Sequence, residues 1–159
     1  MSAKTYKKRG GKGRGTRKIV TSSKSNSSSS ITALQKEITV VFLEMLLMIK
    51  LFHWKTTSYA THKATDDLYV KLNANIDSFI EILLGKSGAR TDLINNKSIR
   101  LVDLTSVETL KREIENFKSY LVSLNDNKAM KTMSNTDLYN IRDTILGDLN
   151  QLLYLLTFK

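Results

Sequence analysis

The residues of this chain best able to do chemistry lie between His53 and Glu81. His53, His62, Asp66, Asp77 and Glu81 follow one another at gaps of 9, 4, 11 and 4, and the two histidines are the only ones in the sequence. Imidazole with carboxylate suits iron or zinc, whereas all-carboxylate sites favour harder ions. Residues four apart on a helix share a face, so His62/Asp66 and Asp77/Glu81 can each close on an ion one turn apart. The competing reading is a solvated polar face that holds nothing.

The two pairs cannot serve one ion within a single chain. Asp66 and Asp77 are eleven residues apart, about 16 Å along a helix, whereas metal–ligand bonds are on the order of 2–2.5 Å. A second copy resolves the mismatch. Two such helices packed antiparallel about a twofold axis bring the His62/Asp66 end of one against the Asp77/Glu81 end of the other, giving two equivalent sites per dimer. His53 joins only if the chain reverses. On a continuous helix it lies opposite His62, but Lys55–Thr61 (KTTSYAT) is rich in residues that favour caps and turns, and a reversal there makes the two imidazoles neighbours. Trp54, beside His53, reads as core packing.

The elements that must position these residues are helical. Leu68, Leu72, Ile76, Phe79 and Leu83 form a core-facing stripe, while His62, Asp66, Tyr69, Asn73, Asp77 and Glu81 share a separate polar arc. A first helix is expected over Thr32–Trp54, apolar on most faces and broken by Glu44 and Lys50. A long connection, Lys86–Leu101, follows the second helix and is marked by Gly85, Gly88 and Asn95-Asn96. The third helix is expected to open on a capping box, Thr105 with Glu108, and to carry Val107, Leu110, Ile114, Phe117, Leu121 and Leu124 inward. The fourth is expected to open at Ser134 with Asp137, and to bury Leu138, Ile141, Ile145, Leu149, Leu152 and Leu156.

This pattern resembles the mini-ferritins of the Dps type. In that family a His-Trp pair ends the first long helix, a second His follows a loop, and Asp, Asp and Glu follow at gaps of four, eleven and four. His53-Trp54, His62, Asp66, Asp77 and Glu81 match those positions, and Leu84-Gly85 looks like the Leu-Gly-Gly ending of the family's second helix. The loop between the histidines is three residues shorter than usual, and Ile82 stands where an Arg often follows the Glu. The resemblance is specific over about thirty residues. A weaker likeness is to proteins of large DNA viruses that combine such a motif with a basic tail.

Charge divides the chain in two. Net charge is +10, yet residues 1–30 hold nine Lys/Arg and no acid, and residues 31–159 hold sixteen Lys/Arg against fifteen Asp/Glu. Residues 1–30 therefore read as a basic Gly/Ser-rich flexible tail, with Ser22–Ser30 as its serine-rich linker, and residues 31–159 as the folded domain. Lys4, Lys7, Lys8, Arg9, Lys12, Arg14, Arg17 and Lys18 are the candidate nucleic-acid contacts, neutralising phosphates with little sequence preference. A nuclear localisation signal, an organellar targeting peptide and a solubilising arm are the competing readings. Zero Cys excludes disulfides and thiolate metal sites, and zero Pro fits an almost wholly helical core. The longest apolar run, Met45–Ile49, is five residues, far short of the roughly 18 of a membrane span.

The expected fold is thus an all-α, ferritin-like four-helix bundle with a long middle crossover. The resemblance implies binding and oxidation of Fe(II) by peroxide or oxygen at an intersubunit site, storage of ferric iron in a hollow oligomer of twofold dimers, in the family a dodecamer, and DNA binding through the tail. Iron is the metal so implied, with His53, His62, Asp66, Asp77 and Glu81 as both ligands and catalytic groups. The place implied is nucleoid-associated cytoplasm, or a virion or host nucleus. The rival is a structural DNA-packaging or virion protein whose ferritin-like core has lost catalysis. A monomeric helical adaptor is a third reading.

Overall fold

A computed structural model describes residues 22–93, 95 and 98–158. It is all-helical, with no strand among those residues. Five helices, α1 (Ser22–Lys55), α2 (Tyr59–Ser87), α3 (Val107–Ser123), α4 (Lys128–Thr132) and α5 (Thr136–Leu155), are joined by connections that include one 3-10 turn at Leu124–Asp126. No helix among them is long and apolar enough to cross a membrane. The basic residues Lys4 to Lys18 lie outside the described residues.

The apolar stripe of α2 is buried throughout: Leu68, Leu72, Ile76, Phe79 and Leu83 all point into the core. Phe79 meets Phe42 of α1 edge to face, with ring centroids 5.3 Å apart, a favoured aromatic geometry. On α3 the expected stripe is buried except for Val107, which is half-buried. On α5 Leu138, Ile145, Leu149 and Leu152 are buried, with Leu156 just beyond the helix, while Ile141 is half-buried.

Polar contacts set the helix directions. Gln35, well inside α1, donates to Ser87 at the end of α2, and Lys50 near the end of α1 approaches Asp66 near the start of α2, so α1 and α2 run antiparallel. Lys71 pairs with Asp148 at 3.3 Å and Lys86 with Asp137 at 3.0 Å, which sets α5 antiparallel to α2. The Lys86 ammonium, as hydrogen-bond donor, holds the Asp137 carboxyl below its usual range. Arg142 of α5 donates to Asn125 just past α3, so α3 and α5 are antiparallel too. The connection from α2 to α3 travels back along α1. Arg100 reaches Glu44 midway and Asp103 reaches Lys55 at its end, so α2 and α3 start at the same end of the molecule. No helix occurs among the described residues of that connection.

Several boundaries depart from expectation. The helix α1 starts at Ser22, ten residues ahead of Thr32, and takes in the serine run expected to be a linker. Extending an anchored helix adds one hydrogen bond per residue without a new nucleation step, serine costs only a few tenths of a kcal/mol, and the run contains no proline to stop it. The box that opens α3 is Ser106 with Thr109, one residue beyond Thr105/Glu108. The extended Ser106 puts its hydroxyl within reach of the Thr109 amide, and the Thr109 hydroxyl accepts from the Ser106 amide. Asn135, not Ser134, precedes α5, and it forms no side-chain cap; its side-chain NH2 group donates to the Met130 carbonyl. The short α4, capped by Asn127 and burying Ala129 and Met130, lies in a connection to which no element had been assigned.

The end of α2 is also displaced. The helix passes through Leu84-Gly85 and stops at Gly88, whose φ of 68° is left-handed and whose amide donates to the Leu84 carbonyl. Only glycine takes that conformation without steric cost. Gly85, by contrast, is helical, with open space where a Cβ would stand. Gly85→Ala should therefore raise stability by about 0.5–1 kcal/mol and Gly88→Ala should lower it by about 1 kcal/mol, as read from urea midpoints.

Candidate metal centre

Two helix ends and a three-residue turn assemble the centre. The helix α1 ends at Lys55 and α2 begins at Tyr59, so the chain reverses at 56–58 as the Thr/Ser-rich segment leads one to expect. Ser58 caps α2 by accepting from the Thr61 amide at 3.3 Å. The reversal stacks the His53 and His62 rings, 3.9 Å between centroids and 26° between planes.

Hydrogen bonds orient both rings. His53 Nδ1 lies 3.0 Å from the His62 carbonyl oxygen, and His62 Nδ1 lies 3.0 Å from the His53 carbonyl oxygen. A carbonyl only accepts, so each Nδ1 carries the proton, and in the neutral ring Nε2 keeps its lone pair. Metal-ligating histidines are commonly held this way. Buried Thr65 sits 3.5 Å from His53 Nδ1 and donates its hydroxyl to the Thr61 carbonyl at 2.8 Å. His53 is buried, and His62 is exposed.

Asp66 faces His53 from α2. Its Oδ1 lies 3.7 Å from His53 Nε2. Two lone-pair groups facing each other are paired by a hydrogen-bond donor, a proton or a cation between them. Metal bonds of about 2.1 Å to both atoms across that 3.7 Å gap subtend roughly 120° at the ion, an acceptable coordination angle without any movement. The residues present therefore fit a metal ion. The neighbouring Asp67 is committed elsewhere: it pairs with Lys63 at 3.0 Å, and that hydrogen bond raises the Lys63 pKa.

Asp77 and Glu81 are not brought to this point. They lie further along α2, exposed, and neither makes an ion pair among the described residues. Asp77 stands at the rim of an apolar groove of about 250 Å³ between α1 and α2, lined by Leu43, Leu46 and Ile80. Among the described residues no three His, Asp or Glu side chains converge as a metal-binding group.

Three participants escaped sequence reasoning. Lys50 places its ammonium 3.8 Å from the same Asp66 Oδ1 and 4.4 Å from the centre of the Tyr69 ring. Its position three residues before His53 on α1 was the available signal, since i and i+3 share a face. Tyr69 was assigned to the polar arc but not to a cation. Thr65 carried no sequence signal. Trp54 corrects an expectation: it is 67% exposed rather than core, because the stripe of α1 that ends in buried Phe52 turns the Trp54 position outward.

Together these features define an all-helical protein with a histidine–carboxylate cluster at the tip of an antiparallel helix pair. The chain belongs to DUF5856, a family of unknown function, whose family model matches residues 53–156. The matched span begins at His53 and takes in all five candidate ligands. No curated protein matches the chain, and no solved structure matches it.

The two kinds of site residue should separate in stability measurements. His53→Ala removes a buried ring and one of the donors to the His62 carbonyl, the Thr65 hydroxyl remaining at 3.0 Å, and should cost about 1–3 kcal/mol in urea unfolding. Glu81→Gln, on the exposed face, should change stability by less than about 0.5 kcal/mol. A large loss from Glu81→Gln would show a structural partner for that carboxylate.

Proposed function

We propose that this protein is a Dps-like mini-ferritin that binds Fe(II) at a site shared between two copies, promotes its oxidation and stores the ferric product. The single observation that carries the reading is the facing pair His53 Nε2 and Asp66 Oδ1, 3.7 Å apart, with both imidazole Nδ1 atoms tied to carbonyls. The antiparallel α1/α2 pair, the connection that runs back along the second half of α1, and the antiparallel α3/α5 pair support a ferritin-like bundle.

In this reading iron is the substrate. His53, His62 and Asp66 of one chain hold it, and Asp77 and Glu81 of a twofold-related copy close the site. The exposed state of Asp77 and Glu81 in the single chain supports that division of labour, as do Leu47 and Trp54, apolar and exposed on α1. The protein's own work is to present imidazole and carboxylate donors at fixed separation while leaving room for an oxidant, peroxide or oxygen. The basic tail binds DNA and places the removal of iron and peroxide beside it, in nucleoid-associated cytoplasm. The oligomer is built from twofold dimers, a dodecamer by family resemblance.

A second reading is favoured by one observation, the Lys50 ammonium beside Asp66. A lysine there already neutralises the carboxylate, as a bundle without catalysis would require. Such a protein would serve as a DNA-packaging or virion scaffold.

Subunit mixing tests the shared site. Asp66→Asn and Asp77→Asn should each abolish Fe(II) oxidation, followed by ferric absorbance, without unfolding the chain. Co-refolding the two variants should restore about a quarter of native activity, since half of the dimers are mixed and each carries one intact site. No recovery in folded mixed dimers would refute a site shared in this way.

A further inference from the structure

We infer that the Lys50 ammonium is a resident cation of this centre, which an incoming divalent ion must displace from Asp66, so that Lys50 sets metal affinity. The inference rests on the metal reading above. Lys50 lies one turn before His53 on α1, and its Nζ approaches the carboxylate oxygen that faces His53 Nε2, at 3.8 Å against 3.7 Å. One oxygen thus faces both the ring nitrogen that would ligate an ion and a tethered positive charge.

The surroundings hold the ammonium there. Tyr69, three residues after Asp66 on α2, presents its ring face 4.4 Å from Nζ, a cation–π contact. The Lys50 side chain is 28% exposed and that of Asp66 41%, so the pair is only partly screened by solvent. A lysine ammonium is also a compact charge on a flexible four-carbon stem, able to swing away where an arginine fork would be more rigidly held. A divalent ion seated between His53 and Asp66 repels the ammonium and takes its counter-charge. The protein's single tryptophan, Trp54, has its ring centre 5.9 Å from Nζ. Departure of the ammonium therefore changes the charge beside an intrinsic fluorophore.

The test uses the full-length protein and Zn(II), which is redox-inactive and leaves iron chemistry out of the readout. Lys50→Met keeps the length of the stem and removes the charge. Calorimetric titration should show Zn(II) bound at least about tenfold more tightly by Lys50→Met than by the native chain, the scale of one like-charge repulsion at partial screening. Trp54 emission should shift on Zn(II) loading in the native protein and much less in the variant. Binding by Lys50→Met alone would support displacement in its strongest form. Equal or weaker binding by the variant would overturn the role of Lys50 and leave the site in place. Absence of saturable Zn(II) binding in both proteins, or binding that survives His53→Ala in the Lys50→Met background, would overturn the site reading and this inference with it.

Discussion

Burial of one stripe on α2 is the constraint from which the rest of the structure follows. Leu68, Leu72, Ile76, Phe79 and Leu83 are each almost wholly removed from water, and burying such side chains is worth about 1.5–3 kcal/mol apiece. Because the stripe repeats at helical spacing, it fixes the rotation of α2 about its own axis. That rotation decides where every polar residue on the helix goes. Asp66 turns toward the end of α1, Lys71 and Lys86 meet α5, and Asp77 and Glu81 turn to solvent.

The tip of the α1/α2 pair then becomes a rigid place for chemistry. A turn of three residues leaves little freedom between His53 and His62, and the reciprocal bonds from ring to carbonyl remove most of what remains. Each ring holds the backbone of the other, so the same contacts that close the hairpin also orient the lone pairs. The electrostatics are poised rather than empty: Lys63 neutralises Asp67, while Asp66 is shared between His53 and Lys50. Replacing a tethered monovalent cation by a divalent one leaves the carboxylate paired throughout, avoiding an unpaired charge at a half-buried position.

Much of this was legible in the residues, and the misses have physical causes. The stripes of α2, α3 and α5 were readable because periodicity survives local noise. The nearness of His53 to His62 was readable because the intervening residues favour a turn, whereas the stacking of their rings was not. Helix ends were read less well. Thr105, Ser106 and Thr109 all offer hydroxyls, and only the extended backbone at Ser106 decides which one caps. Asn135 has the chemistry of a cap, but its side-chain NH2 group is tied to the Met130 carbonyl of α4 and its oxygen caps nothing. The serine run at the start of α1 has a composition typical of linkers, and the helix behind it decides its backbone. Trp54 has the hydropathy of a core residue, but its angle on α1 sends it to the surface.

The sequence by itself determined an all-helical chain, the inward faces of α2, α3 and α5, the reversal after α1 and the separation of a basic segment from a nearly neutral domain. These follow from spacing and composition, which act locally. Tertiary structure decided which charges meet. Lys50 and Asp66 are sixteen residues apart in the chain and come within 3.8 Å only because α1 and α2 fold back on each other. Asp66 and Asp77 share an arc of one helix, yet only Asp66 reaches His53, since a helix rises about 1.5 Å per residue and cannot bend eleven residues back on itself.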